Sequence, residues 1–440
     1  MPQRFPITLL FMLIGGLTAC AETTSALDRW REHFSSLQNT PPEIAHRLPT
    51  LNSPVRDEIL DTATAGTLRT LLPVMDAFAM RPDDVLAFPP IHGPETPFPD
   101  HAPLNQVARL RMALIKLAWN DGQTDRALAL AKQNLDLASA MLEAQQGIIP
   151  VIASVGTWQT ALDGVYWLSR QPGLTPAQAA LLQARLANDD SLAARALTRA
   201  FEGEYTFIQK VVIERLPVTN DPELLLSSIG SLGMAPPSAP PEGEPRLPVA
   251  EQPPLDATAT LALSRARAHD YTQAFAAKPL RHPGQIWNEQ HLPAHRRLAQ
   301  ELGAFLSYAV EDLLATPERI AAANAVLATV DNPVGKLYVL IATPHWNSVS
   351  ETVYRRQAQS NALQVLLAWR RLGRAADIAT LRDAGLLDST PADPFSDGPL
   401  LIDPQHARVW SVGPDGVDQG GEGDGENLGR PDDLAWPSVL

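Results

Sequence analysis

A mainly α-helical fold, an irregular multi-helix body carrying a small β-hairpin and loop module at its C-terminal end, is what this sequence predicts. Three observations carry the expectation. Alanine and leucine dominate from about residue 25 to residue 390, and runs of β-branched residues are scarce. Unbranched side chains lose little rotamer freedom in a helix, so this composition favours helices over strands. Helix-start signals recur along the same stretch. From Asp393 the composition changes to short apolar runs separated by Gly, Pro and Asp, the pattern of short strands joined by turns.

The chain opens with Arg4 and an almost wholly apolar stretch, Phe5 to Leu17, followed by the small residues Thr18 and Ala19. These are the parts of a signal peptide. The apolar run spans about 13 residues, short of the ~20 that a helix needs to cross a bilayer core. Leu17-Thr18-Ala19-Cys20 resembles the lipobox of bacterial lipoproteins. The resemblance implies cleavage before Cys20 and acylation of its sulfur. It also implies attachment to a membrane surface outside the cytoplasm, where several acyl chains hold what one would not. Ala21, in the position where an aspartate would retain such a protein at the inner membrane, implies the outer membrane, facing the periplasm. Cys20 is the one cysteine, so the mature chain has no disulfide and no thiolate metal site.

Residues 20–232 read as a helical domain. Leu110, Ala113, Leu114 and Leu117 line one helix, Asp121-Gly122 breaks it, and Ala127, Leu128, Ala131, Leu135 and Ala138 line the next. The pair resembles one tetratricopeptide-type helix–turn–helix. No second copy follows at a fixed period, as a solenoid requires, so an ordinary helical hairpin is the expectation. Thr175-Pro176-Ala177-Gln178 combines a cap, a proline at the first helical position and a capping-box glutamine. Residues 233–257 hold eight prolines between Pro236 and Pro254 and read as an exposed linker, because proline cannot sit inside a packed helix. Residues 258–390 return to helix. Thr316-Pro317-Glu318 is a second cap with proline, and Ser348-Val349-Ser350-Glu351 predicts the opening of a long helix ending near Gly373.

Residues 391–440 form the last segment. They hold ten acids and two arginines, so this stretch supplies −8 of the formal charge of −14. No basic face is visible for nucleic acid, and an acidic tail suits cations. Leu400-Leu401-Ile402 and Arg408 to Val412 predict a hairpin around Asp403-Pro404-Gln405. Gly413-Pro414-Asp415-Gly416-Val417-Asp418 follows, then further glycines and acids, and Asp432-Asp433-Leu434-Ala435-Trp436 closes the segment. This pattern resembles the C-terminal calcium loop of the type II secretion major pseudopilin. Asp393-Pro394-Phe395-Ser396 and Asn332-Pro333-Val334-Gly335-Lys336-Leu337 resemble segments upstream of that loop in related secreted proteins. The pseudopilin methylation signal and its N-terminal helix are absent. The resemblance implies calcium as a possible cofactor, with Asp415 and Asp433 as ligands and Asp418 as a weaker one. Calcium takes six to eight oxygens at flexible geometry, which glycine-rich carbonyls and carboxylates can supply.

Elsewhere the sequence offers little chemistry. His291 and His295, with Glu289, are four apart around Pro293 and read as solvated residues at a helix entrance. His345-Trp346-Asn347 reads as loop packing, and Tyr166-Trp167 as core or groove wall. Gly-x-Ser-x-Gly, a phosphate loop and His-Glu-x-x-His are absent. The expectation is a non-enzymatic cell-envelope lipoprotein with no catalytic residue nominated. Its helical body would be a structural or binding module in a secretion or envelope-assembly setting, partnered by the membrane and by envelope proteins. The alternatives are an envelope hydrolase with a cleft in the helical body and a helical-repeat adaptor.

Overall fold

A computed structural model describes residues 65–70, 102–144, 147–187, 191–214, 255–276, 292–310, 317–342, 344–396, 398–422 and 434–437. Residues 1–19 and Cys20, most of the expected 233–257 linker, His291, Glu289 and Asp433 lie outside the described residues.

Eleven α-helices and three short strands occupy the described residues. The helices are α1 (Ala102–Asn120), α2 (Thr124–Ala144), α3 (Ile148–Ser169), α4 (Pro176–Ala187), α5 (Leu192–Glu214) and α6 (Ala257–Ala276), then α7 (Leu292–Val310), α8 (Pro317–Thr329), α9 (Pro333–Ala342), α10 (Pro344–Leu372) and α11 (Ile378–Asp383). The strands are β1 (Leu401–Asp403), β2 (Arg408–Ser411) and β3 (Leu434–Pro437).

The body forms around α3. Val151, Val155, Trp158, Leu162 and Val165 are all buried, and α3 packs against α1, α2, α5 and α10. A helix buried on several sides needs apolar residues around most of its circumference, and α3 supplies them. α1 and α2 form the expected hairpin, with Gly122 at φ 75° in the turn. Asn134 crosses it, donating from Nδ2 to the Ala108 carbonyl at 3.0 Å. The helical residues 65–70 pack Leu68 into this core, and Arg69 grips Asp121 through two bonds of 3.1 and 2.7 Å. The 29-residue α10 returns from far along the sequence to pack on α3 and α4. Helices therefore do not stack in sequence order, and the body is an irregular bundle.

Helix ends follow local chemistry. Thr175 and Gln178 form a reciprocal capping box at the start of α4, with bonds of 3.1 and 3.3 Å. α10 begins at Pro344, four residues before the predicted Ser348. Proline costs nothing in a first turn, where its missing N–H has no partner to lose. The helix ends where expected, with Gly373 at φ 76° and its N–H on the Trp369 carbonyl at 2.8 Å.

α6 to α9 make an outer layer. α6 packs on α5, and α9 packs on α6 and α7. Leu298, Leu302, Ala323, Leu327, Leu337 and Leu340 form a second, small buried cluster there. The corner before α9 is tightly specified. Asn332 takes φ 45°, a left-handed conformation that asparagine tolerates. Its side chain accepts from Asp256 N at 3.1 Å and donates to Thr260 Oγ1 at 2.8 Å. A Cβ on Gly335 would lie 1.9 Å from Thr260 Oγ1, so only glycine permits this crossing of α9 and α6. Lys336 completes the corner with Glu301 and Asp331, both at 2.7 Å.

The C-terminal strands form one antiparallel sheet in the order β1-β2-β3. Ile402 faces Val409, and Val409 faces Trp436. The expected hairpin is present and gains β3 from the closing Leu434-Ala435-Trp436 segment. Val409 turns into the body core, while Trp410 lies half-buried with the Arg408 guanidinium 5.3 Å from its ring centre.

Candidate functional site

The acidic glycine loop, residues 413–422, leaves β2 under close local control. Asp393 sits beneath the end of that strand, 2% exposed. Its carboxylate accepts from Ser411 Oγ at 2.7 Å, from Val412 N at 2.9 Å and from Phe395 N at 2.9 Å. Ser411 Oγ in turn accepts from Gly413 N at 3.2 Å, so the first residue of the loop is tied through the serine to a buried acid. Burial raises the Asp393 carboxyl above its usual range, against the pull of those three donors. The sequence marks Asp393 as a turn residue; its burial arises only when β2 folds over it.

Within the loop, Gly413, Gly416, Gly420 and Gly421 all have φ between 69° and 72°. An L side chain is strained there, so glycine is the fitting residue. Asp415 and Asp418 are both exposed. Asp415 accepts from Val417 N at 2.9 Å and from Gln419 Nε2 at 2.7 Å. Asp418 Oδ1 accepts from Trp410 Nε1 at 3.0 Å and from Gly420 N at 2.8 Å. The loop is thus an ordered turn with two carboxylates three residues apart. Among the described residues no group of three or more His, Cys, Asp or Glu side chains could hold a metal ion. The donor type suits calcium: hard oxygen ligands, two of them charged, with carbonyls of a glycine-rich turn beside them. Asp415 and Asp418 would be the charged ligands among the described residues.

The loop's support rests on α10, which packs against β2 and β3. Asn361 Nδ2 donates to the Ala392 carbonyl at 2.7 Å, and Asn361 Oδ1 accepts from Gln357 Nε2 at 2.9 Å. The Phe395 ring meets Tyr354 edge-on at 6.0 Å. On the other flank Tyr166 Oη donates to the Pro437 carbonyl at 2.9 Å. Tyr166 and Trp167 are buried as expected, and Tyr166 has the added task of holding β3.

A second polar group lies on α5. Glu204 on α5 is largely buried, and its carboxylate accepts the N–H of Ile148, the first residue of α3. Burial pushes this carboxyl up to about 7. Its charge acts on Tyr338 of α9, which is 3% exposed and whose hydroxyl makes no hydrogen bond among the described residues. Sequence reading has no signal for Glu204, because Glu202 and Glu204 look alike until the helices pack. Of the expected histidine pair, His295 is described; it is partly buried near the start of α7, and burial together with Arg267 lowers its pKa. His345 lies within the first turn of α10, not in a loop before a helix. Among the described residues no helix is long and apolar enough to cross a membrane.

No family model, no curated protein and no solved structure matches this chain.

Proposed function

We propose that the chain is a non-enzymatic envelope lipoprotein, tethered through acyl chains on Cys20, whose helical body is a structural or binding module and whose C-terminal loop is a calcium-stabilised clasp. The tether rests on the resemblance of Leu17-Thr18-Ala19-Cys20 to a lipobox. The clasp rests on one observation above the others: Asp415 and Asp418 present exposed carboxylates on a turn framed by four positive-φ glycines. Two carboxylates held near each other repel, and a hard divalent cation removes that repulsion while gathering nearby carbonyls. The ion's role would be structural, with Asp433 expected as a ligand beside Asp415.

The test is thermal melting of the detergent-solubilised protein with calcium and with chelator. Calcium is expected to raise the melting temperature, since a ligand that binds only the folded state stabilises it. Asp415→Ala with Asp433→Ala is expected to abolish the rise; identical curves for the wild type in calcium and chelator would remove the metal from the reading. The tether is tested separately by fatty-acid labelling, where the label is expected on the wild type and lost in Cys20→Ser. Equal labelling of both would remove the anchor.

A further inference from the structure

The long helix α10 carries a stripe of polar-tipped residues on a buried face. Tyr354, Gln357 and Asn361 recur three and four residues apart, and each is at most 9% exposed. Such spacing puts them on one side of a helix. That side meets the segment before β1, where the Tyr354 ring lies edge-on to Phe395 and Asn361 Nδ2 reaches the Ala392 carbonyl. Polar groups buried in this way are almost always hydrogen-bonded, so each one left over calls for an explanation.

Two are left over, side by side. Asn361 must turn its nitrogen to the Ala392 carbonyl, which leaves its oxygen to accept from Gln357 Nε2 at 2.9 Å. Turning the Gln357 amide over would set its oxygen against that of Asn361, so the orientation of Gln357 is settled. Gln357 Oε1 then has no donor among the described residues. Ser360, three residues ahead on α10, is fully buried, and its hydroxyl makes no hydrogen bond among the described residues. Hydroxyls elsewhere in these helices return to the carbonyl four residues back, as Ser139, Ser154 and, on α10 itself, Thr352 do. Ser360 departs from that habit. Seen down the helix axis, Asn361 and Ser360 flank Gln357 on opposite sides, and the Gln357 nitrogen is spent on the Asn361 side.

We propose that Gln357 Oε1 and Ser360 Oγ together bind one structural water molecule inside the protein. The water donates to the Gln357 oxygen and accepts the Ser360 O–H, so an acceptor and a hydroxyl that the helix leaves unmet are both satisfied. The chemistry selects water. Two neutral oxygens are too few to replace the shell of a metal cation, which takes six or more. Gln357 is 2% exposed and Ser360 0%, so a larger polar molecule has no way in. The water extends a chain that runs from Ser360 through Gln357 and Asn361 to the Ala392 carbonyl. The next residue is Asp393, the buried acid that holds the end of β2, so the water sits at the root of the support for the C-terminal sheet. The inference stands independently of the calcium and lipid readings, since it uses neither the acidic loop nor Cys20.

The experiment has two arms on the full mature chain. A high-resolution crystal structure of the wild type is expected to show a density peak about 2.7–3.2 Å from both Gln357 Oε1 and Ser360 Oγ. A direct hydrogen bond between the two side chains, or closed packing with no peak between them, would overturn the proposal, and this arm needs no variant to fold. The second arm is oxygen-17 magnetic relaxation dispersion, which counts waters held long enough to tumble with the protein. Ser360→Ala and Gln357→Met are each expected to lower the count by one, and the double variant also by one, because both residues hold the same molecule. An unchanged count in both single variants, or a loss of two in the double variant, would overturn the shared site.

Discussion

The C-terminal sheet and the outer helix layer both lean on the same body, yet they are held by opposite means. The sheet shares the main core: Phe395, Leu400, Val409, Val412 and Leu434 belong to the cluster that includes α1 to α5 and α10. Its position is then set by directional bonds, from Asp393 to Ser411 and Val412, from Asn361 to Ala392 and from Tyr166 to Pro437. The outer layer has a small apolar cluster of its own, and the crossing of α9 and α6 within it depends on the missing side chain at Gly335. Apolar burial stabilises without choosing a register. Each region adds a device that does choose, one by hydrogen bonds and one by close approach.

Substitutions at these devices should separate the two. For the outer layer the test is Gly335→Ala. The new Cβ cannot share space with Thr260 Oγ1 or with the Asn332 amide at 2.4 Å, and overpacking of this kind costs about 1–3 kcal/mol. Chemical denaturation measures it. Thr260→Ala in the same chain should restore part of the loss, because it removes the nearest clashing atom; no recovery would mean that Asn332 sets the limit. A graded pair probes the sheet. Asp393→Ala strands three buried donors, at about 1–3 kcal/mol for each group left without a partner, whereas Tyr166→Phe removes one hydrogen bond worth about 1 kcal/mol. Limited proteolysis reads both as faster release of the C-terminal segment, with Tyr166→Phe the milder. If Asp393→Ala leaves proteolysis unchanged, the polar bonds are not what fixes the sheet.

How much of this was legible depended on how local each cause is. The capping box at Thr175 and Gln178, the turn at Gly122, the end of α10 at Gly373 and the β1–β2 hairpin are each set by neighbours in sequence, and each stands as expected. The start of α10 was misplaced because Ser348 looked like a cap while Pro344 already suffices. β3 was unreadable as a strand, since four residues gain strand character only by pairing with β2. The Asn332 to Lys336 motif was visible in the sequence, but its reason lies in Thr260, 75 residues before Gly335, and in Glu301. Of the candidate site, Asp415 and Asp418 were named from the turn pattern. Asp393 was seen only as a turn, because its acceptor role belongs to strand β2. Glu204 was invisible for the same kind of reason.

The long-range pairing of α3 with α10 carries a cost during synthesis. α3 ends at Ser169, whereas α10 ends at Leu372, so about two hundred residues must leave the ribosome before that face of α3 is covered. At roughly 5–20 residues per second, the apolar side of α3 waits on the order of ten seconds or more without its native neighbour. Until then that face needs a shield from outside its own chain.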